Sequence, residues 1–109
     1  MARATAGSDV FHAIADPNRR RLLDALRGSE EPVGNLVAAT KLSYSVVSQH
    51  LAVLLAVHLV ARRAEGRERL YRLTPAALQD VHAWTATYQA FWESGMARLR
   101  AYLDRDADQ

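Results

Sequence analysis

Between Leu42 and Ala61 the chain carries neither Glu nor Lys, and within that span "SYSVVSQHLAVL", Ser43 to Leu54, sets an aliphatic stripe beside small hydroxyl and amide groups. A helix separates the two sets. At about 100° per residue Val47, Leu51 and Leu54 fall in one narrow arc, with Ser45, Ser48, Gln49 and Ala52 on the opposite side. A helix that only had to stay soluble would show Glu and Lys on its outer face. The absence of both points to a surface that meets something other than water.

Ser43 reads as the N-cap of this helix. Upstream, Val33, Leu36 and Val37 begin a shorter helix that stops near Thr40, so two short helices meet at a tight turn in a helix-turn-helix pattern. A first helix is expected over Asp9 to Ala15. Asp16-Pro17 then reads as N-cap and first residue of a second helix running to about Arg27 and ended by Gly28, and "SEEP" reads as a loop. After Val57 the period changes: "LVARRA" and "ERLYRL" have strand character on either side of a Glu65-Gly66-Arg67 turn, the pattern of a β-hairpin. Thr74-Pro75 is a second cap and first-turn pair, opening a last helix expected to reach about Leu103, roughly 30 residues and about 45 Å. The expected fold is mostly α with a β-hairpin, a single domain over 1–109 with a core at 9–73 and a long terminal helix at 74–104.

Along that last helix Leu78, Val81, Thr85, Tyr88, Trp92, Gly95, Leu99 and Tyr102 follow one another at spacings of three and four, as in a helix-packing seam. Trp84, Phe91 and Met96 widen it. Part of the stripe belongs to the chain's own core, but so large an aromatic surface on so small a chain is more easily buried by a second copy. A homodimer through the terminal helices is expected, with Phe11, Leu78, Val81, Trp84, Tyr88, Phe91, Trp92 and Leu99 at its interface.

Composition narrows the partners. Half of the 109 residues are hydrophobic, which suits one globular domain. With no cysteine, disulfides and thiolate metal ligands are excluded together. The opening "MARATAGSDVF" lacks the apolar core of a signal peptide and no run approaches a bilayer span, so a cytoplasmic protein with no membrane partner is expected. The net charge is only +2, but thirteen Arg stand against the single Lys41. They cluster at Arg19, Arg20, Arg21 and at Arg62, Arg63, Arg67, Arg69, Arg72, while acids gather at Glu30, Glu31 and at Asp104, Asp106, Asp108, which suggests one basic face.

Short uncharged polar side chains let a helix enter the major groove of DNA closely, with Gln and Ser able to donate and accept at base edges. The N-terminal part of such a helix reaches the bases, which favours Tyr44, Ser45, Ser48 and Gln49. His50 borders the apolar stripe and suits packing or a phosphate better than a base. Lys41, Arg63, Arg67 and Arg69 are the candidates for the duplex backbone, the hairpin arginines lying on a phosphate or in the minor groove. A solvated strand surface is the plain alternative for any one of them, and one or two of Arg19 to Arg21 are open to pairing with Asp16 or Asp24. An outer helix face that meets another protein would also be uncharged, but the flanking arginines suit double-stranded DNA better. An enzyme is least supported: five scattered Gly form no phosphate loop, Glu30-Glu31 lack a partner acid, and Ser48 and His50 diverge on a helix.

Taken in order over Val10 to Leu73, "FHAIADPNRRRLLDAL", "VGNLVAATKLSYSVVSQHLAVL" and "LVARRAEGRERLYRL" resemble the winged helix-turn-helix of ArsR-type bacterial repressors. "WTATYQAFWESGMARLRAYL" is similar to a subgroup whose aromatic last helix completes the dimer. The resemblance implies a homodimer on an inverted-repeat operator that blocks transcription, with recognition positions at Tyr44, Ser45, Ser48 and Gln49. Many members release DNA when a metal binds cysteines on the helix before the turn, or Asp and His on the last helix. Here "VGNLVAAT" has no Cys, Pro75 and Ala77 stand where the carboxylate and imidazole would be, and Tyr88 and Phe91 replace their partners. Asp80 and His82 point about 200° apart on a helix and cannot chelate one ion from the same chain. His12 and His58 suit packing or hydrogen bonding. No metal or cofactor is expected, and an unidentified small apolar inducer at Trp84, Tyr88, Phe91 and Trp92 stays open beside the dimer-core reading.

Overall fold

The computed structural model describes residues 6–107. Helices α1 (Ala6–Ile14) and α2 (Pro17–Ala25) are followed by the short strand β1 (Glu31–Pro32), helices α3 (Val33–Thr40) and α4 (Tyr44–Ala56), and strands β2 (Val60–Glu65) and β3 (Glu68–Leu73). A 3-10 turn (Pro75–Leu78) leads into α5 (Gln79–Ala86) and α6 (Gln89–Ala107). The architecture is mostly helical with a small antiparallel sheet of order β1-β3-β2: a helix-turn-helix, α3–α4, followed by a β-wing.

Local chemistry places the helix starts. The Asp16 carboxylate accepts from the Asn18 and Arg19 amides at 2.7 and 3.4 Å, with Pro17 in the first turn. The Ser43 hydroxyl accepts from the Val46 amide at 3.2 Å. Between α3 and α4, Lys41 takes φ 62°, the left-handed conformation that stops α3, and its amide returns to the Val37 carbonyl at 2.8 Å.

The end of α4 is closed by a Schellman motif. His58 sits at φ 62°, its amide bonds to Leu55 O at 3.1 Å, and the Leu59 amide bonds to Leu54 O at 3.0 Å. Leu54 and Leu59, which bracket this turn, are both fully buried, so the reversal into β2 is fixed by hydrogen bonds and by packing at once. The core also takes Leu22 from α2, Leu26 from the turn that ends it, Leu36 from α3, Val47 and Leu51 from α4, and Tyr71 from β3.

Three expectations change. Glu31–Pro32 is a strand and not a loop: it pairs with Tyr71 and Leu70 of β3, its two residues adding a third strand to the hairpin. The second helix ends at Ala25 and turns through Gly28 at φ 82°. The last helix is three pieces and not one. The Thr85 and Thr87 hydroxyls donate to His82 O and Trp84 O at 3.1 and 2.7 Å, and the Thr87 and Tyr88 amides bond three residues back, to Trp84 O and Thr85 O. Hydroxyls that compete for helical carbonyls, and i−3 bonding, are known causes of a bend. Thr74 stands at the N-cap with Pro75 in the first turn, as expected, but its hydroxyl donates to His58 O and not to a helix amide, which ties the segment to the end of α4.

The break divides the expected seam. Leu78 and Val81, before it, pack on the chain's own core, whereas no residue of α6 is buried. That helix projects from the body and stretches the molecule to 67 × 41 × 21 Å. Truncation at the centre of the fold tests its organisation: Leu54→Ala removes a fully buried side chain from both the α4 stripe and the Schellman closure, and urea unfolding should show a loss of about 2–5 kcal/mol.

Candidate nucleic-acid interface

Burial along α4 follows the two faces of its sequence. Val47, Leu51 and Leu54 are inside; Tyr44, Ser45, Gln49 and Ala52 are exposed, and Ser48 is half-buried. Tyr44 is 63% exposed beside the positive end of the helix, where the first amides are held only in part by Ser43.

The wing stands next to this face. Residues pair from Val60 with Leu73 to Glu65 with Glu68, leaving the two-residue turn Gly66-Arg67 with φ +61° at Gly66, the position where a hairpin turn of this length uses glycine. A groove of about 520 Å³ runs between the start of α3, the outer face of α4 and the wing, and Tyr44, Ser48, Arg62, Arg67 and Arg69 all line it. The uncharged helix face and the wing guanidiniums thus share one concave surface. Among the described residues none of these three arginines takes part in an ion pair.

Arg62 is the residue that sequence reasoning missed. Cross-strand partners share a face, and the register pairs Ala64 with Arg69 and Arg62 with Tyr71, so Arg62 lies on the same side of the sheet as Arg69. A two-residue turn would have revealed this parity; the three-residue turn read from the sequence did not. Arg63 lies on the other side. Its guanidinium grips the Glu30 carboxylate with Nε–Oε2 at 2.9 Å and Nη2–Oε1 at 2.8 Å, and it also bonds Glu65. The Arg63 hydrogen bond is the main reason the Glu30 carboxyl is held below its ordinary value, and the two carboxylates raise Arg63 in turn. Arg63, expected at the duplex backbone, therefore ties the wing to the segment before β1.

The other arginine cluster has also been put to use inside the fold. Arg20 donates to Ile14 O at 2.7 Å and Arg21 to Thr40 O at 2.5 Å, so both guanidiniums sit at helix C-termini, where positive charge is favourable. Arg19 donates to Ala13 O at 2.6 Å and comes only within 4.0 Å of Asp16, while Asp24 faces Arg27 instead. The expected single basic face shrinks to the wing, with exposed Lys41 at the turn before α4.

His50 is half-buried and lies 3.4 Å from Arg19 through its Nδ1. Asp80 and His82 are exposed on α5, and among the described residues no three His, Cys, Asp or Glu side chains come together as a metal would need. No helix of the described residues is long and apolar enough to cross a membrane. Phe11, Trp84, Tyr88 and Phe91 form an aromatic row from α1 to α6 with centroid distances of 5.6, 5.3 and 6.2 Å.

Comparison with known proteins agrees with this geometry. The model for bacterial regulatory proteins of the arsR family matches residues 16–62, which run from the cap of α2 into β2. The transcriptional repressor SdpR of Bacillus subtilis is 31% identical over 81 residues, covering 74% of this chain and 90% of that protein. The HTH-type transcriptional regulator Rv2034 of Mycobacterium tuberculosis is 32% identical over 99 residues, covering 91% of this chain and 90% of its own. A crystallised possible transcriptional regulator for arsenical resistance superposes with a TM-score of 0.65 at 41% identity, covering 85% of this chain and 94% of that one.

The Glu30–Arg63 pair gives the wing a pH dependence whose sign is fixed. The folded-state value of Glu30 lies below its ordinary 4.5, so the contribution is complete above that pH and is lost as pH falls through the lowered folded value. The protection factors of the Arg63 and Leu70 amides should fall in that acid range, and Glu30→Gln should reduce this acid step while leaving protection in α2 unchanged.

Proposed function

Because the chain belongs to the ArsR family of bacterial regulatory proteins, we propose that it is a cytoplasmic transcriptional repressor that holds operator DNA as a homodimer. The observation that carries this reading is the single surface on which the uncharged face of α4 meets three wing arginines without ion-pair partners among the described residues. Tyr44, Ser45, Ser48 and Gln49 enter the major groove and read base edges; Arg62, Arg67, Arg69 and Lys41 neutralise phosphates on either side. The naming of SdpR as a transcriptional repressor supports repression over activation.

The homodimer reading rests on the aromatic face. Trp84, Phe91 and Trp92 are 54, 71 and 61% exposed, with Met96, Leu99 and Tyr102 continuing along α6. A monomer rarely leaves so continuous an apolar surface in water. A second copy offers the same face, and a two-fold axis lets each aromatic row cover the other, with Phe11 at its edge. Metal release plays no part in this reading, since Pro75, Ala77, Tyr88 and Phe91 supply no ligand set.

Two experiments check it. Gln49→Ala should lower the ratio of operator to random-sequence binding by about tenfold, whereas Arg67→Ala should weaken both and reduce the salt slope by about one contact; an unchanged ratio in Gln49→Ala removes the base-reading role. In sedimentation the wild-type chain should run as a dimer and Phe91→Glu as a monomer. A wild-type monomer at micromolar concentration contradicts the two-fold arrangement.

A further inference from the structure

Arg19 has the anatomy of a joint. Its side chain is only 13% exposed. Nε donates to Ala13 O at 2.6 Å, Nη2 donates to His12 O at 3.3 Å, and Nη1 reaches His50 Nδ1 at 3.4 Å, with the Asp16 carboxylate 4.0 Å away. One guanidinium therefore joins the end of α1, the start of α2 and the middle of α4. Arginine has no acceptor, so this contact requires the lone pair of Nδ1 and leaves the hydrogen of the neutral imidazole on Nε2. The aliphatic residues that hold α4, Val47, Leu51 and Leu54, pack without directional bonds, while a guanidinium fork imposes direction.

We propose that Arg19 and His50 are positioning residues for DNA recognition: their contact sets the rotation of α4, so that Ser45, Ser48 and Gln49 meet base edges in register, and ties that pose to α1. The same helix carries Phe11, whose ring stands edge-on to Trp84 at 5.6 Å, so the strut joins the aromatic face to the recognition helix. Arg19 makes no phosphate contact in this account. The inference rests on the DNA-binding reading above.

The test compares variants on an operator selected from genomic fragments and on random DNA. Arg19→Lys keeps the charge and loses the fork; it should lower the operator-to-random ratio by about tenfold and leave the salt slope unchanged. His50→Asn keeps an acceptor near the position of Nδ1 and should hold the ratio within about twofold, while His50→Leu should lose about tenfold. A ratio unmoved by Arg19→Lys overturns the proposal, as does a slope that falls by about one, which would make Arg19 a phosphate contact. Equal behaviour of the two His50 variants overturns it too. The imidazole nitrogen spectrum of the free protein tests the strut without DNA: Nδ1 should carry no hydrogen in wild type, and the Nδ1–H tautomer should rise in Arg19→Lys. A dominant Nδ1–H form in wild type refutes the contact whatever the DNA result. A wild-type protein with the Nε2–H tautomer but no preference among DNA sequences refutes the repressor reading, and the positioning role with it.

Discussion

Three aliphatic side chains on one side of α4, Val47, Leu51 and Leu54, are withdrawn from water, and the Schellman closure at His58 locks the same helix into β2. Once that side is committed to the core, the orientation of everything else on α4 follows from helical geometry. Tyr44, Ser45 and Gln49 have to face out, and the chain reverses so that the wing returns beside them. The surface proposed to read DNA is thus a by-product of core packing. Hydrophobic burial supplies its stability, while hydrogen bonds at the caps, Asp16 and Ser43, define where each helix begins.

Electrostatics then divides seven of the arginines among four tasks. Arg20 and Arg21 satisfy carbonyls at helix ends, Arg19 adds the contact to His50, and Arg63 holds the wing through Glu30 and Glu65. Arg62, Arg67 and Arg69 lie along the groove beside α4 without ion-pair partners among the described residues. A low net charge is therefore compatible with a locally positive groove: Glu30 and Glu65 are taken up by Arg63, and among the described residues Glu68 is the one acid that lines the groove beside Arg62, Arg67 and Arg69. In the proposed complex phosphate binding falls to the wing and base reading to the helix.

Legibility in the sequence followed the range of the interactions. Asp16-Pro17, Ser43 and the two faces of α4 are local signals, and each element appears where its pattern placed it. Strand β1 could not be read, because two residues without alternation acquire strand geometry only by pairing with Tyr71 and Leu70, some forty positions away. The break after α5 falls where the Thr85 and Thr87 hydroxyls bond helical carbonyls, a local feature that a three-four spacing of apolar residues passes over. Charge clusters were the weakest guide. A run such as Arg19 to Arg21 looks like a binding patch until the carbonyls it caps are in view, and which of Arg62 and Arg63 faces the groove depends on a hairpin register that one residue of turn length inverts.

In the proposed complex two such surfaces, related by a two-fold axis through the aromatic faces, engage one duplex. Hydroxyl-radical footprinting of the bound operator tests it most directly. Two protected half-sites of inverted sequence are expected, their centres about 34 Å apart, near one helical turn. A single protected half-site, or two in direct repeat, would contradict it.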